Sequence, residues 1–250
     1  MSFGKKINSA QLMEKIIYAL EKKEPLSIVS VGQTEAFIMA QYTIYSEKKF
    51  MKDPETYIAN NKIKLRGIRF PNIKARNEAV KAVRNANIVG YNTFVSEYKK
   101  LAEKVFAAYN IKPEFTFESN IRRVIVFSQK AKFKNMMMGR KILLIGSQAK
   151  NARKALNKKW QDKLGFEIVD AIPINHYKEI PRVKKRIAEH DFDLCLLGAG
   201  INAVILAPYI ARTYGKVAFD IGFGMESLVT RKIVPGTGIR RIGIKKLLRM

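Results

Sequence analysis

One cysteine, two histidines and a shortage of acids set the first limits on this 250-residue chain. A lone thiol, Cys195, forms no intrachain disulfide, so stability must come from packing, and a reducing compartment fits. His176 and His190 have no metal-ligand spacing between them, and there is no CxxC pair, which leaves no zinc signature. A G-x-S-x-G elbow, a P-loop lysine and a G-x-G-x-x-G fingerprint are all missing, so those hydrolase, NTPase and dinucleotide-binding chemistries are set aside. No apolar run reaches the roughly 18–20 residues that a membrane span needs. The longest, Ala203 to Ile210, contains Pro208. The N-terminal MSFGKKINSAQ lacks the apolar stretch and small-residue cleavage site of a secretory signal. The expectation is a cytoplasmic protein.

The acids number 21 against 47 lysines and arginines, a formal net charge of +26. Such a field draws polyanions: nucleic acid, anionic lipid or an acidic glycan. A solvated lysine-rich surface explains the same number. No helix-turn-helix, RRM or zinc pattern accompanies the charge, so nucleic acid ranks last among the partners.

What the chain does have is core material, with 47% hydrophobic residues. Leu26–Val31, Lys141–Ile145, Phe166–Ile172, Asp193–Leu197 and Lys216–Asp220 read as short buried strands, and Ile88–Gly90 as another. Between them, helices are expected over 9–20, 35–45, 75–85, 94–109, 120–134, 149–164, 180–190 and 203–214. The stretch 46–73 reads as polar and irregular. Apolar strands alternating with helices imply an α/β fold: a predominantly parallel, Rossmann-like sheet with helices on both faces. With no linker long enough to divide it, the chain is expected as one domain over 1–250. Residues 227–250 read as a basic tail in which Gly236 and Gly238 suggest a flexible loop before a cationic end.

In such a sheet the loops after the strands share one edge, and ligands bind there. Four places on that edge can carry chemistry. Gly32-Gln33-Thr34-Glu35 joins a tight turn to a helix start, where unpaired amides suit a phosphate. Glu35 can coordinate a metal, accept a sugar hydroxyl or act as a base. An acid that merely favours the helix dipole is the plainer alternative. Gly146-Ser147 offers backbone amides to a diphosphate. Gly198-Ala199-Gly200 with Asn202 lets a ligand approach the backbone. Asp220 with Gly222 is placed to bind a ribose or sugar hydroxyl, or to cap the following turn.

The order of these motifs resembles the GT-D fold glycosyltransferases, formerly filed as a domain of unknown function. The resemblance rests on Pro25–Glu35 (PLSIVSVGQTE), Arg66–Arg69, Ala86–Gly90, Gly139–Gly146 (GRKILLIG), Asp193–Gly200 (DLCLLGAG) and Gly215–Gly222 (GKVAFDIG). It implies sugar transfer from a nucleotide-diphosphate donor, helped by a divalent metal, Mn or Mg. It implies Glu35 and Asp220 as catalytic residues and Gly32, Gln33, Thr34, Gly146, Ser147, Gly198, Gly200 and Asn202 as the donor site, with Glu35 as the metal ligand. The family's D-x-E motif falls on Gln33-Thr34-Glu35, its preceding arginine on Ser30, and its histidine after D-I-G on Phe223. One carboxylate and an amide hold a hard cation less well than two carboxylates. Two functions therefore stand open. One is a glycosyltransferase acting on a cell-surface glycan, glycoprotein or lipid-linked acceptor, with peripheral contact to the inner membrane face. The other is a catalytically degenerate relative that binds a nucleotide-sugar or polyanion.

Overall fold

A computed structural model describes residues 3–61 and 67–250. Arg66, the first residue of one resembling segment, lies outside the described residues. All eight described strands join a single parallel sheet in the order β1-β4-β3-β2-β8-β7-β5-β6. The strands are β1 (Lys5–Lys6), β2 (Leu26–Val31), β3 (Ile88–Tyr91), β4 (Phe115–Glu118), β5 (Lys141–Gly146), β6 (Glu167–Ile172), β7 (Leu194–Gly198) and β8 (Val217–Asp220). The fold is thus the α/β parallel architecture expected from the strand–glycine–helix alternation.

Period-two alternation divides the strands' side chains between two cores. Val29, Val31, Leu143, Ile145, Cys195 and Leu197 face one layer. Ile28, Leu144, Leu194, Leu196 and Phe219 face the other. Cys195 is fully buried there, as its apolar strand suggested, and burial pushes its thiol pKa up. Helices α1 (Ser9–Lys22), α2 (Gln33–Ala40), α3 (Glu47–Lys52), α4 (Pro54–Asn61), α5 (Ile73–Arg84) and α6 (Ser96–Ala108) occupy the first half. The second half carries α7 (Ile125–Ser128), α8 (Lys130–Met137), α9 (Ala149–Leu156), α10 (Asp162–Leu164), α11 (Ile180–Ala188), α12 (Ile201–Tyr214), α13 (Gly224–Thr230), α14 (Thr237–Ile242) and α15 (Ile244–Leu248). The α2, α5, α6, α11 and α12 residues pack in the first core, and those of α1, α8, α9 and α13 in the second. No described helix is long and apolar enough to cross a membrane.

Several local expectations change. The cap of α1 is Asn8, one residue before Ser9, and Gln11 reciprocates in a capping box. The stretch 46–61 is helical rather than irregular, because Ser46 caps α3 and Pro54 opens α4, where its missing N–H costs nothing. β4 and the lysine-only edge strand β1 were not foreseen. Four and two residues are too few to display a period. The expected helix over 120–134 is broken into a 3₁₀ turn, Ser119–Arg123, followed by α7 and α8.

The basic segment 227–250 is also not the loop expected from Gly236 and Gly238. Ile239 and Leu247 are buried in the second core, and the Met250 carbonyl accepts the Ser9 N–H at 2.9 Å. The lysines and arginines of α14 and α15 ride on the outer face, where Arg241 pairs with Glu97 and Lys246 lies 4.2 Å over the Phe94 ring. Because Leu247 seals the core, Leu247→Ala should lower unfolding stability by about 2–4 kcal/mol. Truncating exposed Ile244 to alanine should change it by less than about 0.5 kcal/mol. Urea melts of the two variants measure this; equal, small effects would mean that the segment is undocked.

Candidate functional site

Neighbouring strands whose following helices depart to opposite faces leave a crevice between their carboxyl ends. Here that happens between β2 and β8. The chain leaves β2 for α2 in the first core and leaves β8 for α13 in the second. Glu35, in the first turn of α2, and Asp220, the last residue of β8, stand on either side of this crevice.

Asp220 is the anchor. It is 1% exposed, and both its oxygens are engaged. Oδ1 accepts the Gly222 N–H at 3.0 Å, and Oδ2 accepts the Ser30 N–H at 3.2 Å and a short bond from the Arg122 guanidinium. Arg122 is itself buried. Its guanidinium lies flat against Gly222, where a Cβ would stand only 2.8 Å from Cζ. Gly222 also needs its left-handed φ of 48°. Burial pushes the Asp220 pKa up to about 6, Arg122 pulls it down, and the negative charge of Glu35 raises it further.

Glu35 sits above this pair. It is 7% exposed, held by the Gly32 N–H donating to Oε2 at 3.0 Å. Oε1 takes no hydrogen bond among the described residues and points toward exposed Gly200, where a Cβ would stand 3.7 Å away. Gly32, Glu35 and Gly200 therefore meet, with Asp220 beneath them rather than beside them. Both Asp220 oxygens are taken by protein partners, among them the Gly222 N–H of the following turn, so its contacts are those of the turn-capping alternative rather than of a carboxylate facing the crevice.

The rest of the expected donor site is dispersed. Gln33 is exposed at the first position of α2. Thr34 donates to Glu55 at 2.8 Å and ties α2 to α4. Gly146 and Gly198 are packing glycines: a Cβ on the first would meet the Gly198 carbonyl at 2.4 Å, and one on the second the Met225 Cβ at 2.8 Å. The close seat of α13 fills the space where Gly146 was expected to offer an amide to a diphosphate and Gly198 to let a ligand approach the backbone. Ser147 is exposed at the mouth of β5. Asn202 is 2% exposed and stands beside Gly67, its Oδ1 without a hydrogen-bond partner among the described residues.

Sequence reasoning missed Arg122 and Arg123. Their positions read as the start of a long helix, and only the 3₁₀ break after β4 turns both toward the crevice. Arg123 lies 4.2 Å over the ring of Phe223, which is 46% exposed, and against Gly236. Burial and neighbouring Arg122 hold the Arg123 pKa down to about 10, while Glu35 and Glu226 raise it.

These donors do not suit a divalent cation. Gln33 offers a neutral amide, Glu35 has one oxygen committed to a backbone N–H, and Asp220 has both committed. Among the described residues no group of three or more His, Cys, Asp or Glu could hold a metal ion.

Residues 7–228 match the family model described as a GT-D fold-like domain. The structure is similar to that of a new glycosyltransferase (DUF1792) from Streptococcus sanguinis, at 16% identity and a TM-score of 0.58, covering 92% of this chain and 87% of that one. It is also similar to a highly conserved domain of unknown function 1792 with a distinct glycosyltransferase fold, at 14% identity and a TM-score of 0.53, covering 91% and 81%. At these identities the structural likeness speaks for the fold alone. No curated protein matches the chain.

The raised pKa of Asp220 has a measurable sign. A native carboxyl that titrates near 6 instead of 3.8 binds more protons than the unfolded chain between those values. Its contribution to stability is complete below pH 3.8 and is lost as pH rises through 6. Between pH 4 and 7 the wild type should therefore lose about 2 kcal/mol relative to Asp220→Asn. Parallel stability–pH curves for the two proteins would contradict this.

Proposed function

This chain belongs to the GT-D fold-like family, whose model spans residues 7–228, and from that premise we propose that it transfers a sugar from a nucleotide-diphosphate donor to an acceptor. The observation that carries the reading is the placement of Glu35 at the β2/β8 crevice. One carboxylate oxygen is fixed by the Gly32 N–H, and the other takes no hydrogen bond among the described residues and faces exposed Gly200. A carboxylate held this way accepts a proton from an attacking hydroxyl, or orients a sugar hydroxyl, without first reorganising. The Arg122–Asp220 pair beneath it fixes the relative position of the two loops and touches no substrate in this reading. The net charge of +26 suits an anionic glycan or a lipid-linked acceptor at an anionic surface.

A second reading, a nucleotide-sugar-binding protein without turnover, is favoured by one feature: exposed Gln33 where the family pattern has its first acid. Turnover separates the two. Nucleotide-diphosphate sugars are offered singly, and release of the nucleotide is followed with and without a hydroxyl acceptor. Wild type should release nucleotide from at least one donor. Glu35→Gln keeps an oxygen for the Gly32 N–H but loses the charge, so it should fall by about 10²-fold or more with unchanged circular dichroism. Donor binding without release by the wild type would favour the second reading.

A further inference from the structure

We propose that this chain neutralises the diphosphate of its donor with the guanidinium of Arg123, and without a bridging divalent cation. The inference rests on the nucleotide-diphosphate reading above and deepens it. Three features at the β2/β8 crevice lead to it.

The first is the state of Arg123. Its guanidinium is half-buried, yet it takes part in no hydrogen bond or salt bridge among the described residues. Five N–H donors and a full charge in a half-buried place ordinarily find a carboxylate or a carbonyl. Arg122, one residue earlier, has done so with Asp220. Arg123 instead stands with its Cζ 4.2 Å from the centroid of the Phe223 ring and close against Gly236, and its N–H donors take no hydrogen bond among the described residues. A planar fork held this way matches phosphate oxygens in a bidentate manner.

The second is the local balance of charge. Glu35 and Glu226 act on the Arg123 guanidinium from a distance, without a hydrogen bond. Arg122 is already spent on Asp220. Arg123 is therefore the arginine of this turn with charge to offer an incoming anion. The first turn of α2, opening at Gly32, adds backbone amides on the same side as Glu35.

The third is the poor fit of a cation. A metal that bridges a diphosphate needs an acidic pair, and this chain supplies Gln33 with a half-committed Glu35. Gln33 and Arg123, which takes no hydrogen bond or salt bridge among the described residues, are complementary: one withholds a cation's ligand, and the other supplies a cation's charge.

The test is calorimetric titration with inorganic pyrophosphate and with a set of nucleoside diphosphates, each in EDTA and in Mn²⁺. Wild type should bind in EDTA within about threefold of its affinity in Mn²⁺. Arg123→Ala should weaken binding in EDTA by about tenfold or more, the scale of one lost charged hydrogen-bonding group. Arg123→Lys should recover part of it, because it restores charge without the fork. Arg123→Gln serves as the near-isosteric variant if alanine disturbs the 3₁₀ turn. Phe223→Ala, at an exposed ring, should weaken binding a few-fold by freeing the guanidinium. Binding that vanishes in EDTA and ignores Arg123→Ala would overturn the inference while leaving sugar transfer standing. Failure of every probe to bind in either condition would also overturn it. Pyrophosphate binding in EDTA that Arg123→Ala abolishes, in a protein that turns over no donor, would keep the anion site and remove the transfer reading.

Discussion

The buried pair of Arg122 and Asp220 constrains everything around it. Two charges taken out of water cost several kcal/mol each, and only close pairing with further hydrogen bonds offsets that. The structure meets most of the demand, and the raised pKa of Asp220 records the part of the burial cost that its partners leave. Asp220 receives the guanidinium and two backbone amides, from Ser30 on the neighbouring strand and from Gly222 in its own loop. Each partner then fixes a piece of chain. β2 and β8 are locked in register at their carboxyl ends. Residue 222 must be glycine, because the guanidinium rests on its Cα. The chain after β4 must break into a 3₁₀ turn in order to deliver residue 122. Arg123 follows as a geometric consequence, carried to the crevice by the turn that seats its neighbour.

The same edge shows how one sheet makes a closed half and an open half. Beyond β8, Gly146 and Gly198 are bare so that α13 can settle against the strand ends with Met225 between them. That packing removes from the ligand site the loops that looked most like phosphate cradles. Between β2 and β8 the chain departs to opposite faces; Arg122 fills the bottom of that junction, and Glu35 faces Gly200 at its edge. Glycine at a strand end thus has two opposite meanings, close packing and open approach. The choice depends on whether a helix arrives above it.

Charge is distributed by the same logic. The excess of basic residues is not gathered into a free tail, because α14 and α15 use their apolar residues to complete the second core. Their lysines and arginines are left outside, over Phe94 and beside Glu97. The surface field is general. At the crevice two cations hold defined places, Arg122 on Asp220 and Arg123 over Phe223.

Periodicity and punctuation were enough to read the fold. The strands ending at Val31, Ile145, Ile172, Leu197 and Asp220 are short and mostly apolar, most of them closed by glycine or a polar residue, and such runs suit a sheet covered on both faces. The parallel order followed from the helices between them, as did the placing of Gly32, Glu35 and Gly200 on one edge. β4 and the break after it were not legible, since four residues show no period and SNIRRVIVF carries a helix-like spacing. The roles of Asp220, Gly146 and Gly198 were not legible either. Each depends on a residue far away in the chain: Arg122, 98 positions from Asp220, or Met225 above two glycines. Local sequence sets backbone preference and the burial of a face, because those are nearest-neighbour properties. Which buried charge meets which partner, and which glycine is covered, is decided only when distant loops are brought to the same sheet edge.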